Sequence, residues 1–211
     1  PELSQWIAAN VEFPNAMVDR ITPVTTQADL DYVTNTFGLT DEWPITCESF
    51  SQWVIEDKFC NDRPKWEEVG ALVVSDVTAF EHLKLRLLNG SHSLLAYCGY
   101  LAGCETVSDA MAKPELESLV ERYMDKDAGT TLYVPAGFDV DAYKQELRDR
   151  FKNPALKHRT WQIAMDGSQK LPQRMLGALR AHLESGGDYA VILLAITAWI
   201  KYVGGVDESG A

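Results

Sequence analysis

The residues with the clearest capacity for chemistry lie in one stretch, residues 78–93 (TAFEHLKLRLLNGSHS). Lys84, Asn89 and His92 follow the spacing K-x4-N-x2-H, and Glu81 stands three residues before the lysine. On an ideal α-helix, with Lys84 at zero, Glu81 lies at about 60°, His92 at about 80° and Asn89 at about 140°. We therefore expect a carboxylate, an amine, an imidazole and a carboxamide to face one side of this helix.

These four groups suit proton transfer at a hydroxyl or a carbonyl. Lys84 can act as a base near neutral pH only if its pKa falls from about 10.4 to roughly 7 or 8, which burial and nearby cations favour. Glu81 opposes that fall, so it suits a proton relay to solvent or an ordinary surface position. Asn89 can donate to a developing oxyanion, and His92 can orient a neighbouring hydroxyl. The spacing alone leaves open an ordinary structural helix.

The other side of the same helix is apolar and predicts burial. We expect the helix to begin near Asp76 or Thr78, because both residue types are good N-caps. Four leucines fall within a band of roughly 40° on ideal geometry. They are Leu83, Leu87, Leu94 and Leu101. The central helix should therefore pack this stripe against the core.

The rest of the chain predicts a mainly α fold, a multi-helical domain with a small strand-bearing lead-in. Strand-like composition covers residues 43–55, which predicts a small antiparallel sheet. Residues 65–76 contain a short helical start and then the apolar run 71–74. Further helices are predicted from apolar periodicity and stop signals. They cover residues 27–37, 107–111, 114–124, 140–151, 160–165, 171–184 and 189–203. Pro114 and Pro172 stand where first-turn prolines belong.

Composition excludes several functional classes. With 31 acidic and 19 basic residues the net charge is -12, so we expect no nucleic-acid partner and no anionic membrane surface. The apolar run 190–200 is shorter than the roughly 20 residues of a membrane span and predicts a core helix. The four cysteines have no C-x-x-C spacing, and Glu56 and Asp57 have no nearby histidine, so no metal site is expected. Free thiols favour a cytoplasmic location.

Four blocks carry a resemblance to a known family. Residues 84–93 (KLRLLNGSHS) resemble the signature of the long-chain mannitol dehydrogenase and fructuronate reductase family, which oxidises and reduces polyols and sugar acids without a metal. Residues 13–23 (FPNAMVDRITP), 53–57 (WVIED) and 166–174 (DGSQKLPQR) resemble further family blocks in the same order. Together the blocks extend over nearly the whole chain, and four in register are far more specific than one.

The resemblance implies roles for the residues of the central helix. Lys84 would be the general acid/base that protonates the alkoxide during carbonyl reduction and takes the hydroxyl proton in reverse. Asn89 would polarise the oxygen, and His92 would hold a neighbouring hydroxyl. Glu81 would line the proton route to solvent. NAD is the implied cofactor, and a small sugar acid or polyol is the implied partner.

Substrate-binding residues are expected outside that helix. The resemblance implies that Asp19 holds a hydroxyl and that Lys170 contacts the far end of the substrate. A sugar acid also brings a carboxylate, and the densest basic cluster of this acidic chain contains Lys170, Arg174, Arg159 and His158. Because arginine binds carboxylates in a bidentate manner, Arg159 and Arg174 are candidates for that contact, with ordinary surface pairing as the alternative.

The resemblance narrows further within the family. Residues 153–176 (NPALKHRTWQIAMDGSQKLPQRML) are most similar to the fructuronate reductase branch, and Gln162 stands where the mannitol branch carries an arginine. We therefore expect interconversion of D-fructuronate and D-mannonate. Mannitol 2-dehydrogenase or another polyol dehydrogenase is the first alternative, and a non-enzymatic helical interaction module is the second. The sequence does not specify an oligomeric state or the choice between NAD and NADP.

The resemblance also implies an N-terminal nucleotide-binding Rossmann domain. None of the 14 glycines forms G-x-G-x-x-G, so we expect this domain to be absent from the chain. Residues 1–25 are then expected to be its end and a linker, and residues 26–211 to form the helical substrate and catalytic domain. On this expectation NAD binds mostly outside the chain, and the chain as given is inactive by itself.

Overall fold

The computed structural model describes residues 2–204, and this part of the chain is mainly helical, as predicted. The α-helices, in chain order, are α1 Glu2–Asn10, α2 Gln27–Phe37, α3 Thr78–Leu83, α4 Gly90–Leu101, α5 Val107–Met111, α6 Pro114–Arg122, α7 Val140–Phe151, α8 Thr160–Ala164, α9 Gly167–Leu171, α10 Gly177–Ser185 and α11 Ala190–Tyr202. Short 3-10 turns cover Trp66–Val69, Gly129–Thr131 and Pro154–Leu156. None of the helices in residues 2–204 combines the length and the apolarity that crossing a bilayer requires.

Within residues 2–204, three short strands form one mixed sheet in the order β1-β2-β3. They are β1 Ala16–Asp19, β2 Gln52–Glu56 and β3 Leu72–Val74. The first pair is antiparallel, as expected, with Met17 opposite Val54. The second pair is parallel, with Ile55 opposite Val73, so the prediction of a purely antiparallel sheet is wrong. The chain between β2 and β3 crosses over instead of turning back as a hairpin.

The strand prediction for residues 43–51 is also wrong, because β2 begins only at Gln52. Trp43 and Ile45 are 71% and 66% exposed, so their β-prone side chains do not pack on the sheet. Side-chain and isolated backbone contacts hold this segment: Thr25 Oγ1 donates to the Pro44 carbonyl, and Glu48 N donates to the Ile21 carbonyl. It is an irregular loop that brings Glu48 into the interior.

Local capping explains why α2 and α5 have the predicted bounds. At the start of α2 the Asp29 carboxylate accepts from the Thr26 amide at 2.8 Å, and Gly38 ends the helix in the left-handed region with φ of 65°. At α5 the Thr106 hydroxyl accepts from the Asp109 amide at 3.2 Å. The capping residues of each helix lie close together in the chain, so the helix bounds can be predicted from the sequence alone.

Helix α4 is the centre of the core. It packs against α8 and α11, and most of its side chains are buried whichever way they point. The predicted leucine stripe is confirmed, since Leu83, Leu87 and Leu94 are buried and Leu101 packs partly buried against them. A second small cluster of Met17, Val54 and Val77 joins the sheet to the start of α3.

Three π-helical turns interrupt the long helical runs. They are π1 Lys84–Asn89, π2 Tyr123–Ala128 and π3 Pro172–Leu176, and a glycine follows each of them. The prediction that Pro172 opens a helix is therefore wrong, because it lies between α9 and α10. A proline has no backbone N–H to donate four residues back, and the wider π turn accommodates that loss. Pro114 does stand in the first turn of α6.

Candidate active site

The side chain of Lys84 is positioned by strand β1. Lys84 is the first residue of π1, and its Nζ donates to the Val18 carbonyl at 2.5 Å. Val18 lies one residue before the carboxyl end of β1, and its side chain is 54% exposed. The amine is thus held half-buried near the carboxyl end of β1.

The π1 turn makes the angle between Lys84 and Asn89 about the helix axis differ from that of an α-helix. Hydrogen bonds in a π-helix join residues five apart, so π1 sets Asn89 at a smaller angle from Lys84 than the roughly 140° of α geometry. The Asn89 carbonyl accepts from Ser93 Oγ at 3.2 Å and from Arg174 Nη1 at 3.4 Å. Its carboxamide makes no hydrogen bond with any residue in 2–204. This carboxamide is available to polarise a substrate oxygen.

His92 is a buried and neutral imidazole on α4. Its ring packs 4.7 Å from that of Phe151 and 5.3 Å from that of His158, measured between centroids. Burial is the main cause that holds the pKa of His92 well below its usual value, and neighbouring positive charges lower it further. Those charges, in order of effect, come from His158, Arg174, Arg150 and Lys84. A neutral imidazole can both donate and accept, as contact with a substrate hydroxyl requires.

A second histidine, His158, lies beside His92. Its Nδ1 is buried and has no hydrogen-bond partner in the described part of the chain. Burial, helped by Lys170, lowers the pKa of His158 to about 4. A cavity of about 10 Å³ separates the two histidines from Arg150 and Ile21. This space matches roughly one water molecule, which could bridge the unpaired nitrogen.

Lys170 and Arg174 supply two cations without counter-anions. Arg174 Nη1 donates to Ser93 Oγ at 3.0 Å, and Lys170 Nζ makes only a 3.4 Å contact with the Ile163 carbonyl. Burial lowers the pKa of Arg174; burial and then Arg174 lower the pKa of Lys170. Among residues 2–204, neither has a carboxylate within salt-bridge distance. In a protein of net charge -12, these two half-buried cations form a local concentration of positive charge.

The two remaining candidates lie at the edge of this site or on the surface. Glu81 is exposed in α3, one turn before Lys84, where it can exchange protons with solvent. Arg159 is paired with Glu105 at the surface, so its charge is already neutralised. The structure therefore brings Lys84, Asn89 and His92 together with the two cations, and it leaves Arg159 in an ordinary ion pair.

Asp19 belongs to a buried ion cluster that the sequence did not reveal. The Asp19 carboxylate is 1% exposed, and both its oxygens accept from Arg150, at 2.8 and 3.0 Å. The Tyr143 hydroxyl also donates to Asp19, and Glu48 accepts from Arg150 at 2.7 and 2.9 Å. A substrate hydroxyl could reach Asp19 only through a remaining lone pair. Arg150 is 131 residues from Asp19, so no local spacing signals the pair.

The buried histidines predict a loss of stability in acid. The pKa of His158 is about 4 in the folded protein against 6.5 in the unfolded chain, so the unfolded state binds more protons between these values. Stability from this residue is complete above pH 6.5 and falls as the pH drops towards 4. We expect urea unfolding to show a loss of about 2 kcal/mol from His158 between pH 7 and pH 5.

The His158→Gln variant provides the control for this loss, since glutamine does not titrate. Its free energy of unfolding should decline less steeply over the same pH range. Equal slopes for the variant and the parent protein would show that His158 is not held neutral by burial.

Two family models together match nearly the whole chain. A family model for the mannitol dehydrogenase C-terminal domain matches residues 76–211, and one for the mannitol dehydrogenase Rossmann domain matches residues 1–68. Of these, residues 205–211 lie outside the part that the structure describes. The resemblance seen in the four sequence blocks is confirmed.

Individual relatives agree with the family matches. D-mannonate oxidoreductase of Escherichia coli strain K12 is 50% identical over 210 residues, and mannitol 2-dehydrogenase of Neosartorya fischeri is 43% identical over 213 residues. Pseudomonas fluorescens mannitol 2-dehydrogenase, solved as a ternary complex with NAD and D-mannitol, superposes with a TM-score of 0.92 at 43% identity. Each comparison covers 100% of this chain, which spans 43%, 42% and 43% of these relatives, respectively.

The Rossmann match corrects one prediction. The expectation that the nucleotide-binding domain is absent from this chain is wrong, because residues 1–68 match that domain. The inactivity expected from its absence loses its support as well. The error came from treating the glycine-rich turn as the whole domain, although this turn is only one of its segments. Within residues 2–68 the matched region contributes α1, α2, β1 and β2, and β1 contacts Lys84 directly.

Proposed function

The chain belongs to the mannitol dehydrogenase family, and we propose that it carries the acid/base and substrate-binding residues of an NAD-dependent oxidoreductase that interconverts D-fructuronate and D-mannonate. One observation carries the proposal. The side chains of Asn89 and His92 make no hydrogen bond with any residue in 2–204, and they lie near the Lys84 amine. Beside them are Lys170 and Arg174, two cations that form no ion pair within the same residues. Polar groups left unpaired in a protein interior are expensive unless a ligand completes them.

In the proposed reduction, Lys84 acts as the proton donor. When bound, NAD in its reduced form would supply the hydride for the keto carbon. The Lys84 ammonium gives a proton to the oxygen as the C–O double bond becomes single, and the Asn89 carboxamide donates to that oxygen while negative charge develops. In the reverse direction the Lys84 amine takes the hydroxyl proton. His92 orients a neighbouring hydroxyl, and Glu81 returns the proton to solvent.

The end of β1 fits the reacting part of the cofactor. Val18 presents an exposed apolar side chain beside the carbonyl that holds Lys84. A nicotinamide ring is flat and largely apolar, so Val18 could pack against it while Lys84 faces the substrate.

We also propose a division into residues 1–25 and a catalytic unit of residues 26–211. A cytoplasmic location accords with free thiols at Cys47, Cys60, Cys98 and Cys104.

The substrate class follows from the two unpaired cations. A uronate or a hexonate carries one carboxylate that Lys170 and Arg174 could neutralise, whereas a neutral polyol leaves both charges uncompensated. Arg159 is a weaker candidate for this contact because Glu105 already pairs with it. The resemblance of residues 153–176 to the fructuronate reductase branch supports the same choice.

Kinetics with a charged and a neutral ketose test the proposal. Lys170→Met should raise KM for D-fructuronate about 10- to 100-fold, because a charge-assisted contact of about 1.5–3 kcal/mol is lost. The same variant should change KM for D-fructose little. The measurement is NADH oxidation followed spectrophotometrically, and Lys113→Met, at an exposed lysine, is the matched control.

Two outcomes would favour the alternatives. A preference of the parent enzyme for D-fructose over D-fructuronate would indicate mannitol 2-dehydrogenase or another polyol dehydrogenase, in line with the mannitol 2-dehydrogenase relatives. Failure to turn over any ketose, uronate or polyol would leave a non-enzymatic interaction module.

A further inference from the structure

We infer that Tyr123 is a positioning residue for Lys84 and Asn89, and that the turns π1, π2 and π3 form one hydrogen-bonded junction around its hydroxyl. The catalytic part of this inference rests on the proposed function. Its starting point is geometric: π1 is wider than an α turn, so it sets Lys84 and Asn89 at a smaller angle about the helix axis than the roughly 140° of α geometry. Isolated π turns are rare, and they are frequently found at functional sites.

The Tyr123 hydroxyl binds the backbone of both other π turns. Tyr123 is completely buried as the first residue of π2. Its hydroxyl donates to the Arg86 carbonyl of π1 at 2.9 Å and lies 3.4 Å from the Arg174 carbonyl of π3. A hydroxyl has a single proton, so the shorter bond to Arg86 is the main one. Burial also raises the pKa of Tyr123, which keeps the hydroxyl protonated as a donor.

Two arginine side chains complete the junction. Arg86 of π1 donates from Nη1 to the Thr131 carbonyl at 2.7 Å and to its hydroxyl at 2.9 Å, in the 3-10 turn that follows π2. Arg174 of π3 donates from Nη1 to the Asn89 carbonyl at the end of π1. Each π turn is therefore joined to the other two, and each joining group is partly or fully buried.

The glycine after π1 shows how closely Tyr123 approaches. A Cβ added to Gly90 would lie 1.9 Å from the Tyr123 hydroxyl oxygen and 2.8 Å from Cζ of the same ring. No residue with a side chain fits there unless the tyrosine moves. The hydroxyl is thus seated against the backbone at the point where π1 returns to the α-helix α4.

From this position the Tyr123 hydroxyl controls the angle between Lys84 and Asn89 about the helix axis. The bond to Arg86 acts at the middle of π1, between Lys84 and Asn89. Without it, the turn can relax towards α geometry, which would rotate Asn89 to roughly 140° from Lys84. The Asn89 carboxamide would then no longer donate to the substrate oxygen that Lys84 protonates. Tyr123 thereby acts on the reaction only through the backbone of π1.

The Tyr123→Phe variant tests this role. We expect kcat to fall about 10-fold with little change in KM for D-fructuronate, because the alignment of Asn89 in the transition state is lost and ground-state contacts remain. Hydrogen exchange measured by mass spectrometry should speed up at least 10-fold in peptides covering residues 84–92. The control is Tyr97→Phe, which removes another buried tyrosine hydroxyl that donates to a backbone carbonyl, that of Ala164 at 3.1 Å.

The control separates positioning from general stability. Tyr97→Phe should lower the thermal midpoint to a similar degree, yet leave exchange in residues 84–92 and kcat near their original values. Equal exchange and equal kcat in the two variants would overturn the inference. The exchange measurement needs no substrate. It therefore still tests whether the Tyr123 hydroxyl holds π1, even if the parent enzyme does not reduce fructuronate and the proposed function fails.

Discussion

The Lys84→Ala substitution is expected to lower kcat for NADH-dependent reduction of D-fructuronate by roughly 10²- to 10⁴-fold, the range of general acid/base catalysis. The proton for the nascent alkoxide would then have to come from water, which the protein does not orient. KM should change little, since Asn89, His92 and the two cations still bind the substrate. Steady-state kinetics of the purified variant provide the measurement.

Two further variants separate the chemistry of Lys84 from its position. Lys84→Arg keeps a positive donor for the Val18 carbonyl, but a guanidinium does not release its proton in this pH range, so this variant should fold normally and remain nearly inactive. Lys65→Ala removes an exposed lysine and should keep full activity. Turnover by Lys84→Ala within a few-fold of the parent enzyme would remove Lys84 from the proposed mechanism and favour a non-enzymatic interaction module.

Helix bounds were predictable wherever the deciding contacts are local. Thr26, Asp29 and Gly38 fix both ends of α2 within a dozen residues, and the predicted and observed bounds coincide. The apolar stripe of the central helix was predictable for the same reason, because burial of Leu83 and Leu87 follows from periodicity. Capping and periodicity depend on residues that are close in the chain, so both can be read from the sequence alone.

The π turns were missed because periodicity assumes a constant rise and rotation. Ideal α geometry sets Asn89 roughly 140° from Lys84, and the wider turn reduces this angle. The signal that could have been used is the glycine after each turn, at Gly90, Gly129 and Gly177. That signal has physical content only once Tyr123 is known to lie against Gly90, and this contact joins residues far apart in the chain.

Long-range pairing also concealed the state of Asp19 and the role of Arg150. Spacing cannot show that a guanidinium 131 residues away binds both oxygens of Asp19, nor that Glu48 lies inside the protein. The parallel pairing of β2 and β3 escaped prediction similarly, because strand composition contains no information on direction. The site residues of the central helix remain predictions that the kinetic experiments decide.

The Arg150→Met substitution is expected to lower the free energy of unfolding by about 3–5 kcal/mol, the usual effect of removing one partner of a buried ion pair. Arg150 lies between Asp19 and Glu48, all three are buried, and its guanidinium also stacks 4.0 Å from the Phe50 ring centroid. Methionine fills a similar volume but leaves two buried carboxylates without their cation. Urea unfolding at pH 7 provides the measurement.

The matched control is Arg148→Met on the same helix, α7. Arg148 pairs with Glu121 near the surface, and exposed pairs contribute about 1 kcal/mol or less. A loss of stability in Arg150→Met no larger than that in Arg148→Met would contradict the ion cluster.

The same cluster links stability to the proposed catalysis. Asp19 and Glu48 lie in the segment that matches the Rossmann domain, and Arg150 lies in the segment that matches the C-terminal domain. Asp19 directly follows Val18, whose carbonyl holds the Lys84 amine. Arg150 therefore fixes the end of β1 on which Lys84 depends. We expect Arg150→Met, assayed at a temperature where it is still folded, to lose activity as well, whereas Arg148→Met keeps it.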